Sequence, residues 1–351
     1  MNHDSFIQFR RAVPGVLLTV ALYLSGLFVL LTPLAPLYYL LTDRRGAIVR
    51  IILPVFVLLL FLYLFLLVPL NNFYQAHPGW SWLIPLPGMS LMPLLSSLAA
   101  TLFGLLYFLF FVGVAVIVQT ILTKPVRPTR ALGGAALFFF LAAFLIYAGY
   151  ALMSGVSPLG FASATIRSAV DEFIALQERA GIPLSQLALL KENVALFVRL
   201  WLLFSPSILF CSILFILVLN LVIGKKVFTP FVAEVRREPL NTWSLDFFWV
   251  WVVIAAVGAL LLNSWFFAKT ALMAPAANIL LVLMFAYFLQ GLAIVSWFFE
   301  KKNIGPVFRV MIYSFLVILF QTLGVIVMAL GFFDAWFDFR KLSKATPQEN
   351  K

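Results

Sequence analysis

The feature that most constrains this chain is a series of eight apolar runs, at roughly 13–41, 48–70, 91–119, 131–153, 195–223, 248–268, 275–299 and 306–332. A helix rises about 1.5 Å per residue, so about 20 residues span the about 30 Å hydrocarbon core of a bilayer while satisfying their own backbone polar groups. The 351 residues are 64% hydrophobic and 11% charged, far from the about 45–50% and about 25% of soluble domains. The runs predict an all-α fold, a polytopic membrane helix bundle of about eight transmembrane helices, built as a single integral membrane domain over 1–351. Residues 154–199 read as an extramembrane amphipathic helical segment and 342–351 as a polar C-terminal tail. The first run is far longer than a signal-peptide core and lacks a clear cleavage site, so it reads as a retained span. It holds Pro33 and Pro36, which point to a kink, a tilt or an interfacial half-turn.

Charge orients the runs. The net charge of +11 would suggest a nucleic-acid partner in a soluble protein, but the basic residues fall in short connections between apolar runs, a membrane-orientation pattern. TDRRGAIVR, TKPVRPTR, GKKVFTPFVAEVRREPLN and EKKNIGPVFR carry 3, 3, 4 and 3 Lys and Arg, whereas NNFYQAHPGWSWLIPLPG carries none, KTALMAP one, and 154–199 four that are offset by Asp171, Glu172, Glu178 and Glu192. The positive-inside rule assigns the four basic connections to the cytoplasm. Eight crossings then leave both termini outside, against the preference of Arg10 and Arg11 at one end and Arg340, Lys341 and Lys344 at the other. The expectation is that the internal connections set the orientation. The other solution is that the first and last runs do not fully cross.

Two segments do not read as spans. GWSWLIPLPGM (79–89) pairs Trp80 and Trp82 with Pro85 and Pro87 and suits the headgroup level, as an interfacial loop or a lid over an outward cavity. Over 163–201, Ile166, Val170, Phe173, Ile174 and Leu176 oppose Arg167, Asp171, Glu172, Gln177, Glu178 and Arg179, the pattern of a helix with one apolar face. AGIP ends it, and a second amphipathic stretch leads into the fifth span, so a pair of outer surface helices is expected.

The motifs of metal-dependent, nucleophilic, nucleotide-binding and dinucleotide-binding sites are absent from the sequence. His3 and His77 are the two imidazoles and Cys211 the one thiol, which excludes a disulfide within the chain and argues against a metal site. No run carries a carboxylate, lysine or arginine near its centre, which weighs against a proton-driven pump. Asp246, Glu300, Asp334 and Asp338 fall at run ends, where solvation is the default reading. What remains is neutral polarity: Asn263, Asn278, Tyr287, Gln290 and Gln321 are the candidate ligand-binding residues. Tyr287, Gln290, Gly291 and Ile294 share one helical stripe. Gly291 admits a neighbouring backbone and Gln290 can hydrogen-bond across helices, or these side chains line a pocket for a mostly apolar ligand.

NILLVLMFAYFLQGLAIVSWFF (278–299) and LGFFDAWFDFRK (330–341), with SPSILFCSILFILVLNLVIGKKVF (205–228) and PLAPLYYLLTDRRGA (33–47) more loosely, resemble the YybS-like family of bacterial predicted membrane proteins. The resemblance implies a multi-span protein of the bacterial plasma membrane, distantly similar to the substrate-binding components of energy-coupling-factor importers and to MreD-like morphogenesis proteins. It implies no particular activity. The importer components are shorter, usually with six spans, and dock through small residues four apart on the first span, for which Ala21 and Ser25 are the nearest match. The LGFFDAWFDFRK stretch reads as a helix leaving the membrane, with Asp334 and Arg340 free to meet other loops of the bundle.

These readings favour a small-molecule binding or transport subunit with a largely apolar pocket for a vitamin-like or lipid-like ligand. The alternative is a non-catalytic envelope scaffold or assembly factor. Neither is an enzyme and neither needs a cofactor. The partners expected are the bilayer, a small apolar ligand and a membrane-protein partner, and no nucleic acid.

Overall fold

Glycine, serine or a lone backbone turn inside an apolar run ends a helix here where the run itself continues. The computed structural model describes residues 3–26, 28–76, 97–179, 188, 191–233, 235–236, 239–266 and 272–341, without the side chains of 3–11, 44, 45, 74–76, 179 and 263–266. The described residues form helices and turns and no strand. The protein is an all-α membrane helix bundle. Six described helical stretches are long and apolar enough to cross a bilayer: Ile48–Phe73, Ser97–Thr123, Pro128–Met153, Val194–Phe228, Met273–Lys301 and Phe320–Phe337. Helix Phe248–Phe266 adds a further 19 residues. The chain divides into two compact units, one of Met1–Phe139 with Ile213–Arg237, the other of Phe140–Ser212 with Glu238–Lys351.

In the first unit, α1 (His3–Leu24) and α2 (Leu34–Thr42) replace the expected single first span. The break falls at Ser25 and Gly26, not at Pro33 or Pro36, because Gly26 adopts a left-handed φ of +62° that ends α1. Ser25 Oγ accepts from Phe28 N at 3.0 Å and donates to Leu22 O at 2.7 Å, so the turn caps itself. Gly15 lies against the Tyr39 ring, where a Cβ would come within 2.5 Å of it, so α2 returns alongside α1 as a helical hairpin. Both α1 and α2 pack on the π-helical turn Ile48–Ile52. That turn leads into α3 (Leu53–Ala76), whose Pro54 lacks the N–H that would continue a regular ladder. At the tip, Tyr23 OH donates to Gly104 O of α4 (Ser97–Thr123) at 2.7 Å and meets Tyr63 OH of α3 at 3.0 Å. Tyr63 stands mid-way along Ile48–Phe73, so the hairpin reverses beside the middle of that helix.

The other ends in this unit converge where α2 finishes. Leu37 of α2 lies against Gly224 of α7 (Val194–Phe228), and the Tyr38 ring is 5.8 Å from that of Phe228. Arg236 N donates to Leu122 O and Arg236 Nη1 to Lys124 O, both at 2.9 Å. Three of the four basic connections therefore share one end of the unit, with the start of α1 beside them. α5 (Pro128–Met153) begins there too.

The second unit holds α6 (Pro158–Arg179), α8 (Phe248–Phe266), α9 (Met273–Lys301), α10 (Pro306–Ile318) and α11 (Phe320–Phe337). α6 is described as far as Arg179 and buries Val170 and Ile174, while Phe173 and Leu176 stay exposed; the expected end at AGIP (180–183) lies outside the described residues. Of the second amphipathic stretch, Lys191 and Glu192 are helical, Asn193 is a turn and Val194 to Trp201 form the first part of α7, while 180–187 and 189–190 lie outside the described residues. The 79–89 segment and the 342–351 tail lie outside the described residues.

The expected last span, 306–332, is corrected as well. It breaks at Leu319 into α10 and α11. α10 starts at the Glu300 end of α9, where Arg309 Nε donates to Ile304 O at 2.7 Å and the Tyr313 and Phe299 rings are 5.4 Å apart. Phe320 then meets Phe288, half-way along α9, at 5.4 Å. α11 returns to the starting end, because Arg340 Nη1 donates to Asn241 O and the Asn241 side chain donates to Glu300. This second run also reverses direction within itself, so it is two helices rather than the one expected, and its second helix, Phe320–Phe337, is among the six described stretches long and apolar enough to cross.

Candidate functional site

Two glycines set the site. α9 and α11 lie so close that a Cβ on Gly291 would fall 1.9 Å from Val327 O, and one on Gly331 2.0 Å from Tyr287 O. Any side chain at either position drives the backbones apart. Gln290 precedes the first glycine and Asp334 follows the second by three residues, so the same contact brings an amide and a carboxylate together.

Gln290 is 1% exposed. Its Nε2 donates to Asp334 Oδ2 at 3.1 Å, and its Oε1 accepts from Leu245 N at 2.9 Å. Asp334 Oδ2 also accepts from Arg340 Nη2 at 2.7 Å, and Oδ1 accepts from Phe339 N at 3.0 Å. Arg340 reaches back because the chain turns sharply after α11, with Asp338 and Lys341 in the left-handed region at φ 41° and 55°. Arg340 Nη1 then donates to Asn241 O at 2.7 Å and Trp243 O at 2.9 Å. Asn241 Nδ2 donates to Glu300 Oε2 at 2.8 Å. One network thus ties α9, α11 and the segment leading into α8.

The ion pair at its centre is buried, with side-chain exposures of 0% for Arg340 and 5% for Asp334. Taking two charges out of water costs several kcal/mol each, roughly, unless further hydrogen bonds satisfy them. Asp334 has those bonds on both oxygens. Arg340 Nε and Asn241 Oδ1 are buried without partners, as is the Tyr287 hydroxyl one turn from Gln290. Asp334 is therefore not the solvated run-end carboxylate expected. Gly331, Asn241 and the Leu245 amide are further members that sequence reasoning missed. The signal available was spacing: Gly331 and Asp334 are three apart and share a face, as Tyr287, Gln290 and Gly291 do on α9.

Asn278 belongs to a different place. Pro206 sits inside α7 and removes a backbone donor. Ser207 N donates to Asn278 Oδ1 at 3.0 Å, and Leu203 O accepts from Asn278 Nδ2 at 2.8 Å, so the amide bridges the two ends of one rung of α7. Asn278 Nδ2 also donates to Ala274 O at 2.8 Å. Ser205 Oγ covers Leu202 O, the carbonyl Pro206 leaves open, at 3.2 Å.

Of the five candidate ligand-binding residues, the structure brings together Tyr287 and Gln290. Asn278 stands three turns away on α9 and bonds to α7. Gln321 is exposed in the first turn of α11, and the Asn263 side chain lies outside the described residues. Among the described residues no three of His, Cys, Asp and Glu converge as a metal-ligand set.

Neither a curated protein nor a solved structure matches the chain. The sequence model of a family described as "Predicted membrane protein (DUF2232)" matches residues 86–335, from before α4 through the Gly291–Gly331 contact to Asp334. That match takes in well over half of the chain, and with the apolar helices it shows that this protein belongs to the DUF2232 family of predicted multi-pass membrane proteins.

Proposed function

We propose that this protein is a non-catalytic subunit of a membrane assembly, seated in the bacterial plasma membrane with its basic connections toward the cytoplasm. The observation that carries the reading is where the amides go: Gln290 and Asn278, the side chains best placed in sequence to orient a ligand, are taken up by Asp334, Leu245, Leu203 and Ser207. An amide with its donors and acceptor engaged inside the protein fixes helices and has little left for a guest. Extraction into lipid nanodiscs without detergent tests it. The assembly reading expects the chain to emerge with a stable protein partner, another copy or a different chain. Its isolation as an uncomplexed monomer under those conditions contradicts the reading.

One observation favours a second reading, a small-molecule binding subunit distantly like the importer components. The Tyr287 hydroxyl is buried and unpaired in an aromatic setting, its ring 5.1 Å from that of Phe332. A mostly apolar ligand with one polar group would satisfy it. That reading predicts a co-purifying small molecule, lost in Tyr287→Phe with folding intact; equal retention by the variant counts against it.

A further inference from the structure

Three connections of the first unit meet at one end of it. Arg236 holds the segment after α7 to Leu122 O and Lys124 O at the end of α4, Tyr38 of α2 meets Phe228 of α7, and α5 starts from the connection that holds Lys124. Together TDRRGAIVR, TKPVRPTR and GKKVFTPFVAEVRR bring ten Lys and Arg to that end against two carboxylates, Asp43 and Glu234. Asp43 is already engaged: its Oδ1 accepts from Gly46 N at 3.0 Å and its Oδ2 pairs with Arg50 at 3.0 Å. Lys124, Arg127, Arg130 and Lys226 are exposed and form no ion pair among the described residues.

The basic end of the second unit is finished differently. Arg340 is neutralised by Asp334, Arg309 donates to the carbonyls of Ile304 and Phe299, and Lys301 Nζ lies 4.5 Å from the centre of the Trp297 ring. A connection can thus orient the chain and still have its cations answered within the fold. The excess on the first unit calls for an anion from outside it.

Position and surroundings indicate which anion. Arg130 lies in the first turn of α5, immediately before an apolar run, and Lys226 follows the end of the apolar run of α7 by three residues. Both stand at the level where a bilayer carries its phosphates. Phe231, 80% exposed in the turn after α7, shares that end with the exposed Val227, Ile48 and Val49. Cations beside uncovered apolar side chains suit a ligand that is anionic at its head and hydrocarbon below it.

We propose that this end of the first unit binds the phosphodiester headgroups of anionic phospholipids of the cytoplasmic leaflet, through Lys124, Arg127, Arg130 and Lys226, with Phe231 among the acyl chains. Arg meets phosphate oxygens through two parallel N–H donors and Lys as a point charge. The proposal rests on the reading that turns the basic connections toward the cytoplasm, and adds the class of lipid they hold.

The test uses the full-length protein in mixed nanodiscs of phosphatidylcholine and phosphatidylglycerol, with native mass spectrometry counting the lipids that stay bound on release. The wild type is expected to keep phosphatidylglycerol over phosphatidylcholine by about tenfold, and to lose that preference as salt is raised. Arg130→Gln alone is expected to lower it about threefold, and Lys124→Gln with Arg127→Gln and Arg130→Gln to abolish it. Lys301→Gln with Lys302→Gln, in the second unit, leaves it unchanged. Equal retention of the two lipids by the wild type, or a preference indifferent to these first-unit substitutions, overturns the proposal. So does an acidic soluble protein found on the same cations in place of lipid. Orientation is read separately, by a membrane-impermeant maleimide on Pro125→Cys with Cys211→Ser removing the one native thiol. Labelling in intact spheroplasts overturns the cytoplasmic placement itself, whereas labelling confined to inside-out vesicles without a lipid preference overturns the lipid proposal alone.

Discussion

Arg340 is the residue on which the buried network depends most, because its guanidinium is the counter-charge of Asp334 and bridges two carbonyls of the segment before α8. Arg340→Ala leaves a carboxylate buried and uncompensated, a change worth about 3–5 kcal/mol. It is expected to lower the thermal unfolding midpoint sharply in detergent. Asp334→Asn combined with Arg340→Met is expected to lower it less than Arg340→Ala alone, since no uncompensated charge remains. Gly331→Ala should destabilise as severely by another route, forcing a Cβ toward Tyr287 O; an unfolding midpoint within a degree or two of wild type contradicts that. At this scale the sequence was informative about Gln290 and Gly291, since an amide beside a glycine in an apolar run has few uses other than a helix contact. It was uninformative about Asp334. A carboxylate near the end of an apolar run looks solvated unless the chain doubles back over it, and the left-handed turn at Asp338 that brings Arg340 home is a tertiary outcome.

Among the elements, α7 and α9 show how a helix defect becomes a contact. Pro206 leaves Leu202 O to Ser205, and at the next rung the Asn278 amide of the neighbouring helix bridges Leu203 O and Ser207 N. Asn278→Leu leaves Leu203 O and Ser207 N without partners, at a cost of about 1–3 kcal/mol. In a Pro206→Ala background the backbone can re-form its own rung, so the same substitution should cost appreciably less. A double-mutant cycle by thermal or denaturant unfolding measures that coupling, and strict additivity would contradict the bridging of the ladder by the side chain. Helix existence among the described residues was legible from apolar run length. The reversals at Gly26 and Leu319 were not. Ser25-Gly26 is a weak signal in a 29-residue apolar run that also holds two prolines, and Leu319 carries no local signal at all. Hydropathy measures the length of an apolar run and carries no mark of where the helix within it reverses.

For the molecule as a whole, the two hairpins remove a conflict in the charge pattern. With eight crossings, Arg10 and Arg11 at one end and Arg340 and Lys341 at the other would lie outside, away from the basic connections. With hairpins at both ends, α1 begins beside the Ile48–Ile52 turn and α11 ends beside Glu300, each at a basic end of its own unit. The remaining helices, Ile48–Phe73, α4, α5, α7, α8 and α9, then alternate with the four basic connections toward one side, while the 154–199 segment on the other has four Lys and Arg offset by four Asp and Glu. The most direct test is the sidedness of the termini. Single cysteines introduced as Ser5→Cys and Ser343→Cys in the Cys211→Ser background are treated with a membrane-impermeant maleimide. Both are expected to resist labelling in intact spheroplasts and to react fully in inside-out vesicles. Labelling of either from the outside of intact cells would mean that its apolar run crosses completely, and would contradict the hairpin architecture.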